Sequence, residues 1–546
     1  MLGSQLVIGA LKRRGVRCIF SLSGNQIMPL YDACIDAGIR IVHVRHEAAA
    51  VFMADAWSQV TGELGVAMLT AGPGLTNGIA PLYSAMRSES PVLLISGDSS
   101  VAEDGMGAFQ EMDQVAITRP LTKLSCRPVT AQELASMVDD AVSTAFSGRR
   151  GPVHLALPFD LLSRETGIEL SPEVRGEKIS AQLDAAQLEK VAMLLAQARK
   201  PVVLAGAAAA RRAVLGDWQA LAAKLQAPVM PMESPRGLKD PSIGRFAELL
   251  PASDLLVLAG KPLDFTLGFG RSNVLGSQPV VVLDPDAAVL DRARRLLGER
   301  LALAVQCDAA AFLQTVAQKV GDERAMPNRA AWIAEVNAAI AARDLPAPSG
   351  SAKGGISPRE LCEQVQRQLE GLAEAILVCD GGEFGQWAQA FCRAPVRIIN
   401  GTSGAIGGGI CYAIAAKIAQ PQATVIALMG DGSSGFHFME FDTAVRENAP
   451  FVAVIGNDLR WNAEHLIQLR TYGPDRFVGC ELAASARYHD AAAALGGFGA
   501  DVQSREGLDG ALQAAIASKL PACVNVTIAG QPAPTFSAAA TSGTAH

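Results

Sequence analysis

Runs of apolar residues of strand length alternate with longer stretches of helical periodicity along most of the chain. In the first third the runs are "RCIFSLS", "IRIVHVR", "LGVAMLTAG", "PVLLISGD" and "GPVHLALP". A second block carries "KPVVLAGAAAARRAV", "APVMPMES", "SDLLVLAGKPLDF" and "QPVVVLDPDAAVLDR". A third carries "EAILVCDGGEF", "VRIINGTSGAIGGG", "ATVIALMGDG", "PFVAVIGND" and "PACVNVTIAG". Continuous apolar strands alternating with helices predict parallel sheets covered by helices on both faces. The pattern lapses over 163–185 and 345–358, which read as linkers, and 531–546 reads as a mobile tail. Three doubly wound α/β domains are expected, over 1–165, 186–342 and 358–530.

Composition narrows the function classes. A formal net charge of −7 gives no basic footprint for nucleic acid. An anionic ligand must therefore be held by local devices such as helix N-termini or a metal ion. The 10 cysteines form no CxxC pair, the pattern of buried free thiols in a reducing cytosol. The opening "MLGSQLVIGALKRRGVRCIF" places its basic cluster after the apolar stretch, the reverse of a secretory signal, and predicts an amphipathic first helix. No apolar run reaches transmembrane length. The expectation is a soluble, cytoplasmic protein with neither nucleic acid nor membrane as partner.

The densest candidate chemistry lies in "GDGSSGFHFMEFDTAVRENAPFVAVIGNDLRWN". A buried strand ends in Gly430-Asp431-Gly432-Ser433-Ser434 and a helix follows. Free amide groups at a helix start, with two hydroxyls, favour a phosphate. The next apolar run ends at Asp458. If the two strands are parallel and adjacent, Asp431 and Asp458 could give two hard oxygen ligands to Mg²⁺, which completes its octahedron with phosphate oxygens and water. A Gly-rich turn with a helix-capping acid and an unrelated turn aspartate is the competing reading.

This unit resembles the signature of the thiamine-diphosphate (ThDP) enzymes of the acetolactate synthase, benzaldehyde lyase and 2-hydroxyacyl-CoA lyase group. The resemblance covers essentially the whole chain in domain order, as pyrimidine-binding, central and diphosphate-binding domains. It implies that Asp431, Asp458 and the Arg460 carbonyl hold Mg²⁺, and that Gly430, Gly432, Ser433 and Ser434 face the diphosphate. "DGGEF" (Gly381, Gly382, Glu383) would approach it from the preceding strand end. The family has a second Asn where this chain has Asp458. That carboxylate is expected to grip the ion more tightly while repelling the diphosphate.

In "IRIVHVRHEAAAVFMADAWSQVTG" Glu47 opens a helix among Ala, Val, Phe and Met. A charged triplet capping a helix is one reading. An apolar setting also favours the neutral, hydrogen-donating form of a carboxyl group. The resemblance to the family's "RHE" assigns Glu47 as the acid bonded to N1′ of the cofactor's pyrimidine. It likewise places the Gly404 carbonyl beside the 4′-amino group and Ile406 beneath the bent cofactor. Gly72 and Asn77 of "AGPGLTNG", Gln110 of "FQE", and Asn25 and Gln26 of "SGNQ" fall where the family lines its catalytic centre. Trp461 and His465 are candidates to close the pocket.

The resemblance implies an enzyme that forms or breaks a carbon–carbon bond beside a carbonyl through a C2 ylid and an enamine. Acetolactate-synthase-like ligation or decarboxylation of 2-oxo acids comes first; cleavage of an acyloin or 2-hydroxyacyl-CoA is the alternative. A catalytically silent ThDP-binding paralogue is the reading of another class, and retention of Glu47 argues against it. In the central domain "GAAAARR" and "AGKPLDFTLGFG" stand where relatives bind FAD or a CoA nucleotide. The flavin-contacting acidic pattern is missing, and FAD is not expected. The family's shared sites imply a homodimer at minimum and, by resemblance, a homotetramer.

Overall fold

Among the described residues seventeen strands fall into three wholly parallel sheets. The computed structural model of the chain describes residues 1–172, 184–211, 218–323, 326–342, 355–399 and 401–534. Within the expected linkers and tail, 173–183, 345–354 and 535–546 lie outside the described residues.

The first sheet contains β1 (Cys18–Ser21), β2 (Arg40–His43), β3 (Gly65–Leu69), β4 (Val92–Asp98), β5 (Ser125–Cys126) and β6 (Val153–Pro158), in the order 2-1-3-4-6-5. The second contains β7 (Pro201–Gly206), β8 (Val229–Met232), β9 (Leu255–Ala259), β10 (Val280–Asp284) and β11 (Leu301–Gln306), in the order 11-10-9-7-8. The third contains β12 (Ala375–Cys379), β13 (Val396–Ile399), β14 (Thr424–Gly430), β15 (Val452–Asn457), β16 (Phe498–Val502) and β17 (Ala522–Thr527), in the order 13-12-14-15-17-16. Three parallel α/β sheets are the expected fold class. The strands without a quoted apolar run are β5, β11 and β16, and each is an edge strand. β5 has only two residues and β16 reads Phe-Gly-Ala-Asp-Val, so neither carries a continuous apolar signal, while the apolar run 301–305 of β11 was passed over. The amphipathic first helix spans Gly3–Arg13, with its basic residues in the last turn.

The chain forms two compact units, one holding the first and third sheets and the other the second. In the first unit the Glu47–Thr61 and Gly409–Ala419 helices share one buried cluster. Alanines at 49, 50, 54, 56, 413, 415 and 416 supply much of it, and small side chains let two helices approach closely. Tyr412 Oη donates to Asp55 Oδ2 at 3.1 Å, and Ser90 Oγ to Asp55 Oδ1 at 2.5 Å, so the buried acid between these helices is satisfied.

In each sheet the chain turns back at one point, where adjacent strands run off to opposite sides. Those points lie between β1 and β3, between β7 and β9, and between β12 and β14. Open α/β sheets bind ligands outside the strand ends at such points. In the second sheet this place is tight, since a Cβ on Gly206 would lie 2.2 Å from the Gly260 carbonyl oxygen. The first and third sheets present the candidate residues there.

His154 on β6 is fully buried, with Ser96 Oγ 2.8 Å from Nε2 and Thr118 Oγ1 2.9 Å from Nδ1. Burial pushes its pKa down to about 3. The unfolded chain takes up that proton near pH ~6.5, so the stability from neutral His154 is full above that value and falls as the pH drops towards 3. Urea unfolding from pH 7.5 to 5 should lose up to about 1.4 kcal/mol per pH unit more in the wild type than in His154→Gln. Parallel pH profiles for the two proteins would contradict this.

Candidate active site

The register of the third sheet sets the carboxylates side by side. Gly430 on β14 pairs with Gly456 on β15, so Asp431 and Asp458 leave neighbouring strand ends in the same direction. A single helical turn, Asp431–Ser434, follows β14 directly. The longer helix begins only at Glu440, after five intervening residues. The amide groups at the strand end therefore belong to one tight turn. A Cβ on Gly432 would meet the Trp461 ring at 2.8 Å, so the indole covers this turn at a position only glycine fits. Ser433 Oγ donates to the Gly430 carbonyl at 3.2 Å and Ser434 Oγ to the Asp431 carbonyl at 2.8 Å.

Asp431 is 2% exposed; its Oδ1 accepts the Gly432 N–H at 2.9 Å and its Oδ2 is buried without a hydrogen-bond partner. Burial raises its pKa to about 6, moderated by nearby amides. Asp458 is half-buried and is raised to about 7, first by desolvation and then by the charge of Asp431. Leu459, next in sequence, has φ 59°, a strained conformation for a branched side chain. Asn457 holds that turn by accepting the Leu459 N–H at 3.1 Å, and is itself fixed by Asn525 at 3.1 Å. The turn leads to the exposed Arg460. A buried orphan oxygen beside a second strained carboxylate fits a divalent cation. Among the described residues no cluster of three or more His, Cys, Asp or Glu side chains is arranged for a metal. The pair would thus supply part of a coordination shell, as Mg²⁺ with phosphate and water requires.

Asp380, at the end of β12, organises the loops opposite. It is buried and accepts the N–H groups of Gly381 at 2.6 Å and of Gly407 and Gly409 at 2.9 Å each. One carboxylate thereby joins the Gly381-Gly382-Glu383 turn to the loop carrying Gly404 and Ile406. Gly382 (φ 83°) and Gly404 (φ 68°) have open space where a Cβ would stand, so their backbone is accessible to a ligand. Ile406 is half-buried. His437 Nδ1 lies 2.7 Å from the Gly407 carbonyl oxygen.

The first sheet gathers the other candidates. Glu47 is the first residue of its helix and accepts from Asn77 Nδ2 at 2.9 Å. Thr70 Oγ1 donates to Gln26 Oε1 at 2.5 Å, and Gln26 Nε2 donates to Gln110 Oε1 at 2.8 Å. Gln110 adopts φ 61°, and a Cβ on Gly72 would lie 3.1 Å from Gln110 Cβ. Glu111 shapes that loop by accepting the amides of Gly105, Gly107 and Ala108. Gly74 sits between Thr70 and Glu47, its Cβ position 2.6 Å from Thr70 Cγ2 and 3.8 Å from Glu47 Oε1. Asn25 is exposed at the start of the short turn containing Gln26. His465 stacks on Phe477 with ring centroids 4.2 Å apart, while Trp461 lies against Phe436.

Residues 1–117 match the N-terminal TPP binding domain of thiamine pyrophosphate enzymes, 188–316 their central domain and 380–526 their C-terminal TPP binding domain. The chain is 33% identical over 540 residues to the acetolactate synthase large subunit of Mycobacterium tuberculosis, spanning 96% of this chain and 95% of that protein. It is 31% identical over 563 residues to 2-hydroxyacyl-CoA lyase 2 of Homo sapiens, spanning 93% and 86%. Its fold matches that of the thiamine diphosphate-dependent 4-hydroxybenzoylformate decarboxylase of Rhodococcus jostii RHA1, with a TM-score of 0.79 over 97% of this chain and 99% of that one at 24% identity. The chain belongs to the thiamine pyrophosphate enzyme family, and with it to the enzymes that form or cleave carbon–carbon bonds.

Sequence reasoning missed Asp380, Thr70, His437 and Glu440. Asp380 stood inside the quoted "CDGGEF", and an acid between an apolar run and a glycine pair was the available signal. Nothing local marked the other three.

Two buried carboxylates whose pKa values are raised cost the ligand-free fold stability at high pH. The cost is absent below the unfolded value of ~4, accumulates as the pH rises from there, and is complete above the folded values of about 6 and about 7. Ligand-free Asp458→Asn should therefore be more stable than the wild type by about 1–3 kcal/mol at pH 8, with the advantage shrinking as the pH falls through about 7 and gone below ~4. Chemical unfolding without metal at the two pH values tests it; a variant no more stable at pH 8 would show that the charges do not strain each other.

Proposed function

We propose that this chain is a ThDP- and Mg²⁺-dependent carboligase or decarboxylase of 2-oxo acids, similar in chemistry to acetolactate synthase. The observation that carries the metal and cofactor reading is the Asp431–Asp458 pair, with its orphan buried oxygen beside a glycine turn under Trp461. Asp431, Asp458 and the Arg460 carbonyl would hold Mg²⁺; the amides and hydroxyls of Gly430, Gly432, Ser433 and Ser434 would hold the diphosphate, with Gly381, Gly382 and Glu383 opposite. When bound, the cofactor supplies a carbanion at C2 that adds to a carbonyl carbon.

The chain's own residues set up that chemistry. Glu47 holds and exchanges a proton at the pyrimidine N1′, with Asn77 fixing the direction of its carboxyl group. The Gly404 carbonyl would accept from the cofactor's 4′-amino group, and Ile406 would lie beneath the cofactor. The Thr70–Gln26–Gln110 chain leaves the Gln110 NH₂ as a donor to a substrate oxygen. Neither glutamine can relay a proton, so proton transfer falls to Glu47 and water.

Cleavage of an acyloin or 2-hydroxyacyl-CoA is the second reading, favoured by the 31% identity to 2-hydroxyacyl-CoA lyase 2. A flavin has no part in either reading. The assembly implied is a homodimer at minimum and a homotetramer by resemblance, working in the cytoplasm. Among the described residues no helix is long and apolar enough to cross a membrane.

The decisive test is Glu47→Gln, assayed for ThDP binding by tryptophan fluorescence and for exchange of the C2 proton in D₂O. Binding should survive while exchange slows by about 10²–10⁴-fold. Exchange unchanged by the substitution would remove Glu47 from its role; a wild type that binds ThDP without accelerating exchange would be a binding protein only. Pyruvate, aromatic acyloins and 2-hydroxyacyl-CoAs assayed with the wild type separate ligation from cleavage.

A further inference from the structure

Just before Glu47, two backbone N–H groups are taken up by a side chain from the third sheet's half of the unit. Glu440 is 1% exposed; its Oε1 accepts from Arg45 N at 3.0 Å and from His46 N at 3.1 Å, and its Oε2 from Arg45 N at 3.2 Å. Thr443 Oγ1 donates to Oε2 at 2.6 Å and pins the carboxylate in this pose. The N–H groups that enter a helix are ordinarily met by a local cap or by water. Here His46 caps Ala48 locally, at 3.1 Å, and a buried carboxylate from a distant part of the chain fixes the two preceding amides.

Neighbouring ion pairs do not explain the arrangement. Arg45 Nη1 lies 3.7 Å from Asp442 and Arg40 Nη2 2.5 Å from Glu447, but both arginine side chains are about half exposed and such pairs hold little. Charge-assisted bonds from a desolvated carboxylate to backbone amides are the strong contacts of this row. The same segment touches the cofactor-facing loop through His437, whose ring also packs edge-on against Phe52 and His46. The stretch that follows the Asp431 turn thus reaches both the Ile406 loop and the entry of the Glu47 helix.

We propose that Glu440 is a positioning residue for Glu47: by fixing the amides of Arg45 and His46 it sets the entry of the Glu47–Thr61 helix and the direction in which the Glu47 carboxyl group points. The inference rests on the reading of Glu47 as the activating acid. The Glu440 carboxylate is committed to Arg45, His46 and Thr443, so its loss should leave ThDP affinity unchanged and lower only the step that Glu47 serves. A small displacement of a reacting group is enough for a large loss of rate.

The test is a double-mutant cycle on the full chain loaded with ThDP and Mg²⁺, reading C2-proton exchange, ThDP affinity by fluorescence and thermal stability. Glu440→Ala should slow exchange by about 10–100-fold with affinity unchanged. Glu440→Gln, which keeps the shape but one fewer acceptor, should fall between. In the Glu47→Gln background Glu440→Ala should slow exchange no further, because a residue acting through Glu47 has nothing left to position. Equal slowing in both backgrounds, no slowing by Glu440→Ala when Glu47 is intact, or a loss of ThDP affinity in its place would overturn the proposal. If Glu440→Ala does not fold, Glu440→Gln runs through the same cycle with the same criteria. Unchanged exchange in Glu47→Gln alone would instead overturn the role of Glu47, and this proposal with it.

Discussion

Two carboxylates held together in a dry place are the constraint around which this molecule is arranged. Asp431 and Asp458 arrive there because β14 and β15 are parallel, adjacent and in register at Gly430 and Gly456. Like charges at close quarters inside a protein are unfavourable unless a cation or protons intervene. The surrounding structure accepts further strain to keep them there. Leu459 holds a left-handed backbone, Asn457 is committed to that turn, and Trp461 closes over a glycine that cannot carry a side chain. Strain collected at one strand end marks a functional site.

The rest of the unit brings a second cluster under comparable control. Asp380 ties two glycine loops together, Asp55 ties two alanine-rich helices through Tyr412, and Glu440 ties the helix entry at Glu47 to the segment after the Asp431 turn. All three are buried acids that accept hydrogen bonds from within the fold, and each joins stretches far apart in sequence. Deep acids of this kind fix geometry rather than add much stability, since desolvation offsets much of what their hydrogen bonds contribute. The resulting precision suits a reaction in which one carboxyl group must address one ring nitrogen.

How much of this was legible follows from what each signal is made of. Central strands announce themselves as unbroken apolar runs because both faces are covered; β5, two residues long, and β16, broken by glycine and aspartate, carry no such run. The glycine turn and its paired aspartates were legible as one cluster because its glycines, hydroxyls and acids are consecutive or one strand away. Glu47 was legible from its place between a strand and an apolar helix. The Thr70–Gln26–Gln110 chain, the Asp380 bracket and the Glu440 clamp were not, because each depends on residues brought together only by the fold. A buried acid such as Glu440, in "HFMEFDTAV", is written in the same letters as a surface acid in the first turn of a helix.

The central claim is that Asp431 and Asp458 hold a divalent ion that also holds the cofactor's diphosphate. Mn²⁺ can replace Mg²⁺ at such a site and reports its ligands magnetically. Electron–nuclear double resonance of the protein loaded with Mn²⁺ and ThDP should show ³¹P coupled to one tightly bound ion per chain, and Asp431→Ala should abolish both the tight binding and the coupling. Tight Mn²⁺ binding that persists in Asp431→Ala, or a bound ion without phosphorus coupling, would contradict the account.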